Sequence, residues 1–304
     1  MKFNNEAYKE VMKCLVGDIF YTNNLSITSR ISIIRRYSEI ILRKLIDIPE
    51  TEYMTIGGKN IKRYKESIND DLLTNAIDII HKYGDDNTHT EQILNPTDKD
   101  LNIVLDAMFN LYAYLFIDFF TKNPFGSDSR IVVAFSILPP ILRFKVLNNL
   151  FEKNKNNQLI IDKLVLAILK SYSKEKAYEW LDTNKELLLS LDVATDTARH
   201  DLINRFGLDI AEIVFANEPH NMYELCVERI SNVSELIDKN GVLYSTFEES
   251  KHYYELKGFV SGITDEINRF NSIMEFCYLG RRKERTDYPE LYKYITSDVK
   301  VING

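Results

Sequence analysis

Three side chains that can move protons recur at four-residue steps in the first third of the chain: His81, Asp85 and His89. On a continuous α-helix this spacing places all three on one face. Two imidazoles can act as acid and base near neutral pH, with Asp85 orienting one of them. The same spacing could also hold a metal ion. These residues are therefore the candidate catalytic group.

The segment between the two histidines has a composition typical of a turn. Residues 84–87 combine a glycine, two aspartates and an asparagine, so a helix that starts near Asp71 is expected to stop at Gly84 in a left-handed cap. In that case Asp85 and Asn87 form turn hydrogen bonds, and His89 packs against the next helix or caps it. The catalytic and the structural interpretation both stay open.

A run of basic residues after Gly280 is the second candidate site. It is the densest positive cluster in the chain, and arginine and lysine bind phosphate groups. The alternative is a helix that ends at Gly280, with basic residues that compensate its C-terminal dipole. A helix near residue 36 also carries charges at four-residue spacing, which favours solvated ion pairs over a phosphate-facing rim. The candidate phosphate-binding or nucleic-acid-binding residues are Arg281, Arg282, Lys283, Arg285 and Arg36.

Composition excludes several classes of protein. The 304 residues are 45% hydrophobic and 12% aromatic, which is enough for one large or two ordinary cores and excludes a disordered chain. A net charge of −7 argues against coating nucleic acid through overall charge, so any such contact must be local. The cysteines Cys14, Cys226 and Cys277 have no metal-ligand spacing and are expected to be reduced thiols.

No secretion or membrane segment is expected from the sequence. Residues 1–20 are interrupted by charges and lack the apolar core of a signal peptide. The most apolar stretch, residues 101–120, contains Asp106, Asn110 and Asp118, which a lipid-exposed helix would tolerate poorly. We therefore expect a cytoplasmic protein without membrane contact, in which this stretch is a buried helix.

Apolar spacing predicts an all-α protein. A helix over residues 29–46 has clear ends, and Thr97 with Asp100 predicts a capping box that opens the next long helix. The polar residues 121–130 separate two expected domains, 1–122 and 131–304. Pro139-Pro140 is expected to start the first helix of the second domain. Helical spacing then continues over residues 141–151, 159–172, 176–181, 185–191, 201–215, 223–237 and 253–278.

Four segments occur in an order that resembles a known family. They are IIRRYSEIIL at 33–42, IDIIHKYG at 77–84, His89, and TDKDL at 97–101. This part resembles the HEPN-like domain of unknown function that is often found beside restriction and phage-defence proteins, whose members carry an Arg-rich amphipathic helix, a Gly-Asn turn and a following His. The resemblance covers about residues 1–122 and implies a helical bundle that dimerises.

The resemblance also implies a possible activity. Nuclease members of the wider HEPN superfamily use an Arg followed shortly by a His, which meet across a dimer and cut RNA without metal. His89 corresponds to that His, but Gly84 occupies the position of the Arg. An arginine is needed because its fixed charge binds the scissile phosphate, which a glycine cannot do.

Two functions follow. The first is a non-catalytic, dimeric binding or regulatory protein of prokaryotic phage defence or a stress response, which recognises a partner protein, nucleic acid or nucleotide. The alternative is a metal-independent RNase that uses His89 with His81 and Asp85. The missing arginine favours the first function. No metal and no cofactor is assigned in either case.

Overall fold

The computed structural model describes residues 3–86 and 95–283. In this part of the chain there are 15 α-helices and no β-strand, which confirms the all-α class. The helices are α1 Asn5–Phe20, α2 Ile27–Leu45, α3 Lys59–Ile68, α4 Asp71–Asp86, α5 Asp98–Lys122, α6 Ser129–Phe135, α7 Pro140–Lys153, α8 Gln158–Ser171, α9 Lys174–Thr183, α10 Lys185–Leu189, α11 Asp196–Phe206, α12 Leu208–Asn217, α13 Met222–Asn240, α14 Phe247–Lys257 and α15 Asp265–Tyr278.

The described chain forms two compact units. Unit 1 contains two separate segments of the described chain, residues 3–146 and residues 246–283. Unit 2 contains residues 147–245, so the division falls inside α7. The first unit is therefore built from both ends of the described chain, which the sequence-based division at residues 121–130 does not anticipate.

Helix α5 forms the centre of unit 1. Its N-terminus has the predicted capping box of Thr97 and Asp100. Helices α2, α4 and α15 pack against it, and 15 of its 25 residues are buried. It is the one described helix long and apolar enough to cross a membrane by length and composition, yet 78% of its most apolar window is buried inside the fold. This burial agrees with the predicted core helix.

The polar segment after α5 is a tight turn within unit 1. Ser127 N donates to Pro124 O at 3.0 Å, and the turn directs the chain back onto α5. The Phe125 ring lies 4.9 Å from the ring of Phe120 and 5.7 Å from that of Phe135 in α6. Because these aromatic rings share one core, the polar composition of the turn marks a change of direction within one unit.

Two long predicted helices are each interrupted. The stretch 201–215 is divided between α11 and α12 at Gly207, whose φ of +83° no ordinary helix accommodates. The stretch 253–278 is divided between α14 and α15, with residues 258–264 between them. In contrast, α7 begins at Pro140 next to the predicted start. Where the helical spacing of apolar residues continues on both sides of a short interruption, the sequence pattern alone does not reveal that the helix is interrupted.

Unit 2 is organised around α8 and α13. These two helices pack together, and α9 and α10 pack onto them. The ring of Phe151, at the end of α7, meets the Trp180 ring of α9 edge to face at 5.2 Å. Cys226 and Ile230 of α13 are fully buried. The core of unit 2 is therefore made by α7 to α10 and α13, without burial of any residue of α11.

Candidate functional site

Helix α2 supplies the scaffold of the candidate site. Ser26 caps its N-terminus by accepting from Ser29 N at 3.1 Å, and Ile34, Tyr37 and Ile41 are buried against the core. Arg30 and Lys44 are buried with this stripe, while Arg35, Glu39 and Arg43 are partly exposed. Unlike the solvated ion pairs that the sequence predicts, they have specific partners on other elements.

Helix α4 does not end at Gly84. It continues to Asp86, and Gly84 is buried, without the positive φ of a left-handed cap. The predicted cap is therefore wrong. A Cβ placed on Gly84 would lie 3.0 Å from Cγ and 3.1 Å from Cβ of Arg35, and closer still to its Cδ. Glycine is needed here because the Arg35 side chain crosses the helix backbone at this point.

The continuous helix brings together two of the predicted catalytic residues. His81 Nε2 lies 2.9 Å from Asp85 Oδ2, one helical turn apart, a distance at which Nε2–H donates to the carboxylate. The other carboxylate oxygen of Asp85 accepts from the Arg35 guanidinium. We call Arg35, His81 and Asp85 the His81 cluster. It links α2 to α4 through one shared carboxylate.

A loop between α2 and α3 closes over the cluster. Glu39 Oε1 accepts from Ile56 N at 3.0 Å, while Arg43 donates to the carbonyls of Pro49, at 3.1 Å, and Glu52, at 2.7 Å. These contacts fix the loop from the side of α2. They place Gly57 so close to the imidazole that a Cβ there would lie 2.5 Å from His81 Nε2. The backbone at Gly57 therefore lies directly beside the imidazole ring.

The cluster can orient an imidazole, but its charges are already matched. The His81 side chain is 40% exposed, and its second ring nitrogen is not used by Asp85. The one guanidinium in the cluster is paired with the carboxylate, so a substrate phosphate would have to compete with Asp85 for it. Within residues 3–86 and 95–283 no group of three or more His, Cys, Asp or Glu side chains could hold a metal ion.

The remaining predicted catalytic and phosphate-binding residues are not brought to this cluster. His89 and Arg285 lie outside the described residues. Arg36 is exposed, but it lines a shallow groove on α1 together with Glu10 and Asp18. These two carboxylates disfavour an anion beside Arg36.

Arg281 is buried in the core of unit 1. Its side chain and that of Glu248 in α14 are both 0% exposed, and Nη1 donates to Glu248 Oε1 at 3.2 Å. The guanidinium lies between two phenyl rings, 4.2 Å from Phe20 and 4.7 Å from Phe247. Tyr21 donates from its hydroxyl to the same carboxylate oxygen at 2.5 Å, and burial raises the pKa of this tyrosine. Arg281 therefore has no access to a ligand in solvent.

The other two described residues of the basic run have partners of their own. Arg282 is exposed, and its guanidinium lies 4.5 Å over the Tyr21 ring. Lys283 forms an ion pair with Glu255 of α14. The run Arg281 to Lys283 thus attaches the end of unit 1 to α1 and α14. It does not form a continuous cationic surface.

A second buried cation joins α1, α2 and α15. Lys44 Nζ donates to Asn5 Oδ1 at 3.0 Å and to Ser272 Oγ at 2.5 Å. Asn5 Nδ2 in turn donates to Glu275 Oε2 at 2.6 Å. Asn5 therefore links the Lys44 ammonium to the carboxylate of Glu275. Burial is the main reason that the pKa of Lys44 is lowered to about 8. This network is structural, and sequence spacing gave no sign of it.

Sequence reasoning missed Arg35 and Glu248 as partners. Arg35 is 50 residues from Asp85 and Glu248 is 33 residues from Arg281. One signal pointed to the first pair: a glycine inside an apolar helical pattern indicates a close approach as well as a cap. Comparison of the chain with protein-family models, with curated proteins and with solved structures gives no match.

Proposed function

We propose that this protein is a non-catalytic binding or regulatory protein in which the His81 cluster holds helices together. The observation that carries this proposal is the ion pair between Arg35 and Asp85. Cleavage of RNA without metal needs a cation free to bind the phosphate, and the guanidinium nearest His81 is already neutralised. Asp85 of α4 accepts from both Arg35 of α2 and His81 of α4, so the cluster connects these two helices.

A protein is a better partner for this chain than a nucleic acid. Among the candidate basic residues that the structure describes, Arg281 is buried and Lys283 is paired with Glu255. Arg36 has acidic neighbours, and the chain as a whole carries a net charge of −7. Phosphate binding depends on several accessible cations acting together, and these residues do not supply them. Dimerisation and a setting in phage defence or stress response rest on the HEPN-like resemblance.

One observation favours an RNase as the second candidate. Helix α4 is continuous, so His81 and Asp85 form the hydrogen-bonded pair that orients a histidine for acid and base work. If an RNA phosphate displaced Asp85 from Arg35, the guanidinium would become available to it. His89 from either copy of a dimer would then be the second imidazole.

Incubation of labelled RNA and DNA in EDTA tests the two functions. Wild-type protein and His89→Ala are compared, and light scattering on the same samples gives the oligomeric state. The binding function predicts a folded dimer that cleaves neither substrate. RNA cleavage by the wild type that disappears in a folded His89→Ala protein would establish the RNase instead, whereas a monomer would remove dimerisation from the proposal.

A further inference from the structure

Helices α11 and α12 of unit 2 carry a large exposed apolar surface. The large side chains Phe206, Leu208, Ile210, Ile213 and Val214 are each between 43% and 65% exposed. Together they expose an apolar area on the order of 400 Å², spread over more than one face of the two helices. The patch is contained within residues 206–214.

Three of these side chains form one stripe along α12. Ile210, Ile213 and Val214 stand at three-residue and four-residue steps, so they share a face. Ala211, the one buried residue of the helix, lies about 100° around the helix axis from Ile210, beside the stripe. In α12 the small side chain of Ala211 is buried, whereas the β-branched side chains are exposed. A helix that packs its apolar face against the core of its own unit shows the opposite arrangement.

The hairpin of α11 and α12 is held by few contacts. Arg199 of α11 forms an ion pair with Glu218, just after α12, and its guanidinium lies 4.9 Å from the Phe215 ring. No residue of α11 is buried. Helices in proteins gain most of their stability from packing of an apolar face, so this pair would gain from a partner that covers the stripe.

The charge around the stripe identifies the kind of partner. Residues 196–218 contain five acidic and two basic side chains. Asp209 and Glu212 are exposed and lie along one flank of the stripe in α12. We propose that this surface binds an amphipathic helix of a partner protein, with an apolar stripe against Ile210 and Ile213 and lysine or arginine facing Asp209 and Glu212.

Two other occupants fit less well. In a symmetric antiparallel pairing of α12 with a second copy, the acidic flank of each helix would face the acidic flank of the other, because a two-fold axis places equal positions opposite each other. An anionic lipid surface would be repelled by the same two carboxylates. A basic amphipathic helix complements both the apolar stripe and the negative charge of Asp209 and Glu212 beside it.

The test uses the full chain and two designed fluorescent peptides. Both carry the same leucine stripe on a helix of equal length, and their flanks are lysine in one and glutamate in the other. We expect the lysine peptide to bind at least about tenfold more tightly in fluorescence anisotropy. The double variant Ile210→Ser/Ile213→Ser should abolish its binding. Asp209→Asn/Glu212→Gln should remove the preference between the peptides.

The test has a matched control and four outcomes that would overturn the proposal. Ile263→Ser removes an isoleucine of unit 1 that is 93% exposed, and it should leave peptide binding unchanged. Equal binding of the two peptides, or binding of neither, would overturn the proposal. Self-association in sedimentation that Ile210→Ser/Ile213→Ser abolishes would also overturn it, in favour of a second copy. Binding to vesicles of phosphatidylserine that Ile210→Ser/Ile213→Ser abolishes would likewise overturn it, in favour of a membrane.

Discussion

Substitution of Gly84 by alanine should destabilise unit 1, although alanine is the better helix former. At an open helix position the change would stabilise by about 1 kcal/mol. At Gly84 the new methyl group meets Cγ and Cβ of Arg35 at 3.0 and 3.1 Å, and its Cδ more closely. Overpacking of this kind costs about 1–3 kcal/mol, and displacement of Arg35 also weakens its pair with Asp85, worth up to about 1 kcal/mol. These three contributions together give an expected net loss between about 0 and 3 kcal/mol, with a middle value of roughly 1.5 kcal/mol.

Unit 1 offers a matched control for this substitution. Gly17 lies in α1, and a Cβ placed there meets no atom within 4 Å. Gly17→Ala should therefore stabilise the same unit by about 1 kcal/mol. In an Arg35→Ala background the cost of Gly84→Ala should largely disappear, because Cγ and Cδ are gone. This gives a coupling free energy of about 2 kcal/mol between the two positions.

Urea unfolding followed by circular dichroism measures all of these free energies. Wild type, Gly84→Ala, Arg35→Ala, the double variant and Gly17→Ala are compared at one pH and one salt concentration. Our reasoning would be refuted if Gly84→Ala stabilised the protein as much as Gly17→Ala does. It would also be refuted if Gly84 and Arg35 showed no coupling, since the crossing of α4 by Arg35 would then carry no steric cost.

Two further predictions concern the buried cations. Burial lowers the pKa of Lys44 from 10.5 to about 8, so between these pH values the unfolded chain binds more protons than the folded one. The stability of wild type relative to Lys44→Met should therefore rise across that window, by at most about 3 kcal/mol. Urea unfolding at several pH values measures this difference, and a constant difference would contradict the prediction. Arg281→Met should cost about 3–5 kcal/mol by leaving Glu248 buried without its cation, while the exposed Lys283→Met should cost less than about 1 kcal/mol. Equal losses would contradict the burial of this ion pair.

Local sequence signals predicted most helices of this protein correctly. The capping box of Thr97 and Asp100, the start of α7 at Pro140 and the buried α5 all follow from residues close together in the chain. The breaks at Gly207 and at residues 258–264 were not predicted, because apolar spacing continues on both sides. The division into units could not be predicted either, since residues 246–283 return to unit 1 from far along the chain.

The candidate site was predicted in part. The four-residue spacing of His81 and Asp85 correctly indicates two groups on one helix face, whereas the turn-like composition after Gly84 wrongly suggested a break. Glycine in a turn and glycine at a close approach look the same in a sequence. The difference depends on Arg35, whose position relative to α4 is set by packing of α2 and α4 on α5. Such tertiary information is not contained in local spacing.

The most direct test of the structural role of the His81 cluster compares wild type with His81→Leu in two assays on the same samples. Metal-independent cleavage of labelled RNA is measured in EDTA, and the free energy of unfolding is measured in urea. We predict no cleavage by either protein, and a loss of about 1 kcal/mol in His81→Leu because leucine cannot donate the hydrogen bond that Asp85 accepts from His81. Cleavage by the wild type alone, with equal stability of both proteins, would contradict a structural role and identify His81 as a catalytic residue.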